Sequence, residues 1–380
     1  MRVLVTGGAG FIGSFVLEAL VVRGHAVRVL DSLDPQVHGQ SPAPLLPPGV
    51  EFRHADVRDR AACAAALDGV DAVVHCAAAV GVAQSLYRVE HYVDVNVRGT
   101  ATLLDCLAER SSPIAKLIVP TSMTGYGEGL YRRPSDGRLL RVGIRTEDDI
   151  ERHGWEPACL DTGEPLEAVP TPEDAALLAR NVYALTKRYQ EELSLSVGRV
   201  YGFPVVCLRL FNVYGPRQSL SNPYTGVLAI FLSRLAGGER PVVYEDGAQT
   251  RDFVSVHDVV DAVLAALGAA GADGTVINIG SGIPRRIADV ARTVTRIAGG
   301  EAVEPDVTGQ FRRGDVRHCT ADIARAGRLL GFAPRVAWED GLAELVAWAR
   351  GAAAVDGFAQ ADRELRARGL VSERIGRQPM

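Results

Sequence analysis

The chain has 380 residues, 47% of them hydrophobic and 23% charged, with a net charge of −5 at pH 7. This balance suits a globular protein with a sizeable core, and the dispersed basic residues argue against a nucleic-acid or anionic-membrane surface. No apolar run is long enough to span a bilayer and the first strand starts at the second residue, so neither a membrane anchor nor a signal peptide is expected, and the expected location is cytoplasmic.

The chain opens with alternating strand-like and helix-compatible segments. Strands are expected at 2–5, 26–31, 50–54 and 72–76, with helices at 14–23 and 58–67 between them, a pattern that argues for a parallel sheet covered on both faces. The Pro-rich stretch 41–49 reads as a connection. A helix at 95–109 leads to a buried strand at 116–120. Between about 128 and 172 Gly, Pro and charge accumulate without a sustained period, which marks a long insertion of the functional or partly disordered kind. Helical spacing resumes over 173–200, followed by a buried strand at 205–210, a helix at 227–236, a short strand-like run at 241–244, a helix at 258–267 and a strand at 275–280. Two helical stretches are expected between 287 and 348, around a turn at 311–315. The charged tail, 351–380, carries no site signature, and no internal repeat is visible. Six cysteines (Cys63, Cys76, Cys106, Cys159, Cys207 and Cys319) are scattered without close pairs, as reduced thiols are.

Two runs carry chemistry. Thr6-Gly7-Gly8-Ala9-Gly10-Phe11-Ile12-Gly13 follows a strand and opens a helix. Glycines at 7, 10 and 13 permit a tight turn, backbone approach to a pyrophosphate and close helix–strand packing, and the helix N-terminus aims free N–H groups at the phosphates. Gly7, Gly10, Phe11, Ile12 and Gly13 are therefore expected at a dinucleotide. Asp31 closes the second strand, where a carboxylate accepts both adenosine ribose hydroxyls. Ser32, Leu33 and Asp34 follow with no arginine for a 2′-phosphate, so NAD is expected over NADP. The second run, Tyr183-Ala184-Leu185-Thr186-Lys187, sets a phenol and an ammonium at i and i+4 on one helix face. A neighbouring cation favours the phenolate that a base near neutral pH requires. The expected fold is α/β: a Rossmann-type doubly wound parallel sheet with a smaller, discontinuous C-terminal substrate lobe. Residues 1–211 form the NAD-binding domain with the insertion, 212–350 mainly the lobe, with 251–280 returning to the first domain, and 351–380 a tail.

These runs, together with Asp56-Val57, Ala77-Ala78-Ala79, Asn96, Arg217 and Arg251-Asp252-Phe253-Val254, stand in the order found in the extended short-chain dehydrogenase/reductase family. The chain resembles its sugar-nucleotide epimerase/dehydratase branch over most of residues 1–345, outside the insertion and tail. The resemblance implies cofactor contacts at Asp56, Val57, Ala77, Ala78 and Asn96, and a catalytic set of Ser122, Tyr183 and Lys187. In it Ser122 bonds the reacting oxygen, Tyr183 is the acid/base, and Lys187 holds the nicotinamide ribose and lowers the tyrosine pKa. It also implies that Arg251 and Arg312 grip the substrate diphosphate, that Asn212 and Arg217 assist, and that Thr124 lies at the sugar.

In that branch, dehydratases carry Asp-Glu at the positions of Met123 and Thr124, decarboxylases a Glu, and 3,5-epimerases a Cys at position 124. Met123 and Thr124 can do none of that work, which leaves chemistry at C4. The runs at 126–129, 155–157, 170–174 and 221–227 resemble a bacterial subgroup that includes dTDP-L-rhamnose 4-epimerases. Where relatives have Cys-x-x-Cys-Gly, this chain has Cys159-Leu160-Asp161-Thr162-Gly163, one thiol that makes no zinc site, so no metal is expected. The implied activity is NAD-dependent 4-epimerisation of a nucleotide sugar such as a dTDP-6-deoxyhexose. Alternatives are an NAD(P)H-consuming 4-ketoreductase, a UDP-hexose 4-epimerase and a non-catalytic dinucleotide sensor. A homodimer through the helices near 95–109 and 174–198 is a family expectation.

Overall fold

The computed structural model describes residues 1–39, 46–222, 224, 226–300, 303–352 and 356–374. Part of the 41–49 connection, Pro223 and Thr225 of the 221–227 run, and the end of the tail lie outside the described residues. Seven parallel strands, β1 (Arg2–Thr6), β2 (Ala26–Asp31), β3 (Glu51–His54), β4 (Ala72–His75), β5 (Lys116–Ser122), β6 (Val205–Leu210) and β7 (Thr275–Ile279), form one sheet in the order β7-β6-β5-β4-β1-β2-β3. Their sequences are near-continuous apolar runs because helices cover both faces. Successive side chains of β1 diverge accordingly: Val3 and Val5 enter one core cluster with Val16, Leu17 and Val259, while Leu4 enters the other with Leu67, Leu103 and Leu117. The strand order reverses between β1 and β4, and the crevice beyond their C-terminal ends is where this architecture receives ligands.

On one face α1 (Phe11–Val22) packs against the helix Val256–Gly268; on the other lie Arg60–Leu67, α2 (Gly99–Ala108) and α3 (Val182–Tyr201). α3 starts nine residues later than the expected 173. Asn181 caps it by accepting from the Ala184 N–H at 2.8 Å. The apolar residues ahead of it, Ala175 and Leu177, instead pack on Met123, Tyr126 and Phe211, so their spacing reflects a separate small core.

The lobe has its own apolar cluster, built from the helices Val227–Ala236, Ile287–Ala298 and Trp338–Gly351. A short sheet joins Asn212–Tyr214, Thr250–Ser255, Pro284–Arg286 and His318–Cys319. The chain returns to the large sheet through Val256–Gly268 and β7. Between 287 and 348 there are three helices rather than two, the additional one being Ala324–Leu330, too short to stand out by periodicity.

The insertion is ordered. It contains a three-stranded antiparallel sheet (Leu130–Arg132, Leu139–Arg141 and Glu167–Val169) and the helix Glu147–His153, started by a Thr146/Asp149 capping box. The tail also carries structure: helix α4 (Phe358–Ala367) and a strand, Val371–Arg374, that pairs antiparallel with Gln310–Arg312. Among the described residues no helix is long and apolar enough to cross a membrane.

Candidate active site

The glycine loop has the shape its sequence implies. Gly7 takes φ +66°, and a Cβ there would come within 2.6 Å of the Ala77 backbone; one on Gly13 would strike the Gly7 carbonyl at 2.2 Å. Gly10 precedes α1 without any side-chain cap, which leaves the first N–H groups of the helix available to an anion. Across the crevice Cys76 N donates to the Thr6 carbonyl at 2.9 Å, and Ala77 N to Thr6 Oγ1 at 3.3 Å. At the end of β2, Asp31 accepts from Ala9 N through one oxygen and from Leu33 N through the other, both at 2.9 Å. The carboxylate is thereby fixed beside the loop, with lone pairs left for ribose hydroxyls. Uncapped helix, crowded glycines and oriented carboxylate together fit a dinucleotide.

Asp56 is gripped by Arg58, whose Nε and Nη2 approach at 2.9 and 2.6 Å; that bonding holds the Asp56 carboxyl below its ordinary range. Val57 sits in the core against Gly99. Asn96 lies in a π-helical stretch, Val93–Arg98, and is fully buried behind the 77–79 segment. Its amide exchanges hydrogen bonds with the backbone of Ala79 and donates to Thr186 Oγ1 at 3.0 Å. It thus locks the segment carrying Ala77 and Ala78 onto the helix that carries Tyr183 and Lys187.

That helix buries one face holding Tyr183, Lys187 and Glu191, spaced four apart. Glu191 is clamped by Arg209 of β6, with Nε to Oε2 at 2.9 Å, and it also accepts from Thr121 of β5. Ser85 Oγ accepts from Tyr183 N at 3.0 Å at the other end. Between them Thr6, His75, Thr100 and Gln190 form a buried polar chain from β1 to α3. Burial pushes the His75 imidazole down to about 3, so it stays neutral and purely structural.

Ser122 caps the short 3-10 turn Met123–Tyr126, and its hydroxyl is the side-chain group that acts on the Tyr183 phenol. Thr124 Oγ1 lies 3.0 Å from Ser122 Oγ, so Ser122, Thr124 and Tyr183 meet at one point, whereas Met123 is buried in the cluster with Tyr126 and Phe211. Burial pushes Tyr183 up to about 12, with the Ser122 bond pulling the other way. Burial also brings Lys187 down to about 8, against a smaller opposing pull from Cys76. Its ammonium donates to the Pro120 carbonyl at 3.2 Å. Desolvation is the dominant influence on the Tyr183 phenol in this structure.

Two of the four residues expected at the substrate diphosphate converge. Arg251 Nη2 and Arg312 Nη2 hold opposite oxygens of Asp315 at 3.0 and 2.9 Å. Burial raises Asp315, but the charges of Arg312 and Arg251 outweigh it and keep the carboxyl below its usual range. Asn212 opens the strand Asn212–Tyr214, in register with Phe253 two residues beyond Arg251. Arg217 is placed elsewhere: at φ +68°, it pairs with Glu18 of α1 at 2.8 and 3.0 Å and stacks over Phe15.

A buried charge cluster beside Asp315 escaped the sequence reading. Arg317 meets Glu245 at 2.8 Å, Asp246 at 2.6 Å and Glu156 at 2.5 Å; Arg145 meets Glu245 at 2.7 Å and Glu128 at 3.4 Å. Glu128 also accepts from the Tyr131 phenol and the Arg317 backbone. Glu128, Arg145 and Glu156 belong to the insertion, the others to the lobe. The only signal was the runs at 126–129 and 155–157, whose glutamates are these partners. Cys159 is buried with Tyr131 and Leu166, and among the described residues no group of three His, Cys, Asp or Glu is arranged to hold a metal.

A glycine cradle at a switch point, joined to a Ser–Tyr pair with a lysine one turn on, defines a dinucleotide-dependent hydride-transfer site. The pattern of the NAD dependent epimerase/dehydratase family matches residues 3–142 and 162–280, and the chain belongs to that family. A dTDP-L-rhamnose 4-epimerase of Burkholderia thailandensis is 37% identical over 91% of this chain and 94% of its own length. Among solved structures, the UDP-glucose 4-epimerase of Thermotoga maritima with UDP-glucose superposes with a TM-score of 0.76 at 29% identity, covering 92% of this chain and 99% of that one. The Thermus thermophilus UDP-glucose 4-epimerase complex with NAD gives 0.71 at 28% identity, covering 93% and 100%. The protein is an enzyme of the sugar-nucleotide epimerase class, and its cofactor is NAD.

Proposed function

We propose that the protein inverts C4 of a nucleotide-activated sugar, a dTDP-linked 6-deoxyhexose such as dTDP-L-rhamnose. The observation that carries the C4 assignment is the local one: the Ser122 hydroxyl acts on the Tyr183 phenol, and the two positions after Ser122 hold a buried methionine and a threonine whose hydroxyl is turned to Ser122. Neither can remove a proton from C5 or eliminate water. Tyr183 can accept the O4 proton while Ser122 holds that oxygen, and can return it after the sugar has presented its other face. NAD, when bound, supplies a reversible hydride acceptor for C4. Lys187 remains cationic at neutral pH and sits one turn from the phenol, the placement that makes a phenolate attainable once substrate and cofactor have displaced water. Arg251 and Arg312, released from Asp315, are the cations suited to the diphosphate.

The dTDP-deoxysugar choice rests on the Burkholderia relative and on the shared runs around 155–157 and 221–227. Incubation with dTDP-L-rhamnose, dTDP-glucose and UDP-galactose separately, without added reductant, with C4 configuration read by nuclear magnetic resonance, tests it. Inversion of the deoxysugar is the expected result. Turnover of the UDP-hexose alone overturns the sugar, and turnover only with stoichiometric NAD(P)H overturns epimerisation. The reading includes a cytoplasmic homodimer. Leu185 and Tyr189, one turn apart on α3, and Val89 and Val93 are exposed apolar side chains suited to a helical interface, and the six cysteines are free thiols. Light scattering of the wild type beside Tyr189→Asp tests the interface; a monomeric wild type overturns it.

A further inference from the structure

The tail reaches both sides of the seam between the sheet domain and the lobe. On the lobe side its strand Val371–Arg374 pairs with Gln310–Arg312, Arg313 N donates to the Leu370 carbonyl, and the Tyr244 phenol donates to Asp362 of α4. Across the seam, Glu364 Oε2 accepts from the Tyr87 phenol at 2.7 Å and from the Tyr224 phenol at 3.0 Å, and the two phenols are themselves 2.6 Å apart. Tyr87 belongs to the segment that leaves β4, whereas Tyr224 belongs to the lobe. Beneath this knot Leu365 and Val371 share an apolar cluster with Ala83, Tyr87, Tyr224 and Tyr244.

The segment leaving β4 matters to the cofactor. It begins at Ala77 and Ala78, passes Ala79, which Asn96 clamps, and supplies Ser85 to the start of the Tyr183 helix. Tyr224 lies so close over Gly81 that a Cβ there would be 2.9 Å from the Tyr224 Cβ. Parting the lobe from this segment requires Glu364 to release one of its two phenols. A carboxylate that accepts two hydroxyls is bound more firmly than a neutral pair, so this release is costly.

We propose that Glu364 is a positioning residue that ties Tyr224 to the Ala77–Tyr87 segment, so that the C-terminal tail sets how long NAD is retained. The proposal rests on the NAD site and is independent of which sugar is turned over. Full-length Glu364→Ala, Glu364→Gln and Tyr87→Phe are compared with the wild type and with Arg363→Ala, an exposed change on the same helix. Each is loaded with radiolabelled NAD and chased with unlabelled NAD, and its thermal unfolding is recorded. Label should leave Glu364→Ala about tenfold faster, the size expected for losing a charged acceptor shared by two hydroxyls. Glu364→Gln, which keeps one acceptor oxygen, should be intermediate, and Arg363→Ala should match the wild type. Turnover should show a raised KM with kcat little changed. Wild-type chase rates in a folded Glu364→Ala overturn the proposal, as does equal acceleration in Arg363→Ala. If Glu364→Ala does not fold, Tyr87→Phe decides: a faster chase supports the clasp and an unchanged one overturns it.

Discussion

The two halves of the site are held by opposite means. Around Tyr183 the fixing contacts are mostly neutral: Thr6, His75, Thr100, Gln190, Asn96 and Thr186 form a buried hydrogen-bonded chain, with one ion pair, Arg209–Glu191, at its edge. Around Asp315 they are mostly ionic: two buried arginines, Arg145 and Arg317, face four carboxylates drawn from the insertion and the lobe. On the proposed function, the contrast follows from what each half would do. A proton-transfer centre needs Tyr183 and the Lys187 ammonium held in one fixed geometry, which neutral hydrogen bonds do without adding competing charges. A phosphate grip needs cations, and cations buried before the substrate arrives need carboxylates to hold them. Asp315, bridging Arg251 and Arg312, is that kind of placeholder.

The largest expected effect breaks the neutral half. Tyr183→Phe removes the group that carries the O4 proton, so turnover should fall by roughly two to four orders of magnitude, the worth of a positioned acid/base, with NAD still bound. Steady-state kinetics and released-cofactor assays check it. A phenylalanine enzyme of near-wild-type activity would place the proton on another group and undo the contrast.

Breaking the ionic half should read out differently. Arg317→Met leaves Glu156 and Asp246 without their cation and the buried Glu245 with Arg145 alone, and breaking the buried part of such a cluster is destabilising. Thermal unfolding should shift down markedly, and in whatever remains folded the KM for nucleotide sugar should rise far more than the NAD dissociation constant. Equal damage to both constants would mean that the insertion supports the whole enzyme and not the phosphate grip.

This division also explains what could be read from the sequence. The sheet half was legible because its signals are local: apolar runs of strand length, glycines at 7, 10 and 13, and Tyr183 and Lys187 one turn apart. The ends of β2 and β6 coincide with the residues expected for them. In the ionic half Arg251 and Arg312 were expected but the buried cluster beside them was not, because its charges find partners across long separations, 161 residues between Arg317 and Glu156 and 100 between Arg145 and Glu245. The insertion looked aperiodic for the same reason: its strands are three residues long, and buried ion pairs rather than an apolar stripe hold it in place. Arg217, expected near the substrate, is turned by its backbone onto Glu18 and Phe15, a placement its order in the chain does not signal. The tail carried no motif because its side-chain contacts are made far upstream, as where Glu364 meets Tyr87 and Tyr224, 277 and 140 residues away.

A smaller effect sharpens the neutral half at its cofactor end. Asp31→Ala removes the acceptor fixed by Ala9 and Leu33 and should weaken NAD about tenfold, in line with the loss of hydrogen bonds to a charged group, while NADP binding changes little or improves. Calorimetry with both dinucleotides measures this. Tighter NADP than NAD binding by the wild type would show that Asp31 does not read the ribose.

The smallest effect tests whether burial alone sets Lys187. Burial brings its folded value down to about 8, below the usual lysine value of about 10.4 in an unfolded chain. Between those two values the unfolded chain binds the additional proton, so this residue's contribution to stability is complete above about pH 10.4 and is lost as pH falls through about 8. Tyr183 has the opposite sign but acts later: its raised value, about 12, contributes stability below the ordinary phenol value of about 10 that is lost only as pH climbs from there. From pH 7.5 to 9.5 the lysine should therefore act largely alone. The melting temperature of the wild type minus that of Lys187→Met should become more positive across this range, with Met the relatively stabler residue at the low end because it has no charge to desolvate. Subtracting the variant removes the thiols and other groups that titrate in the same window. A flat difference would mean that Lys187 keeps an ordinary ammonium in the folded enzyme, and that a counter-charge or water, and not burial, governs the neutral half as carboxylates govern the ionic one.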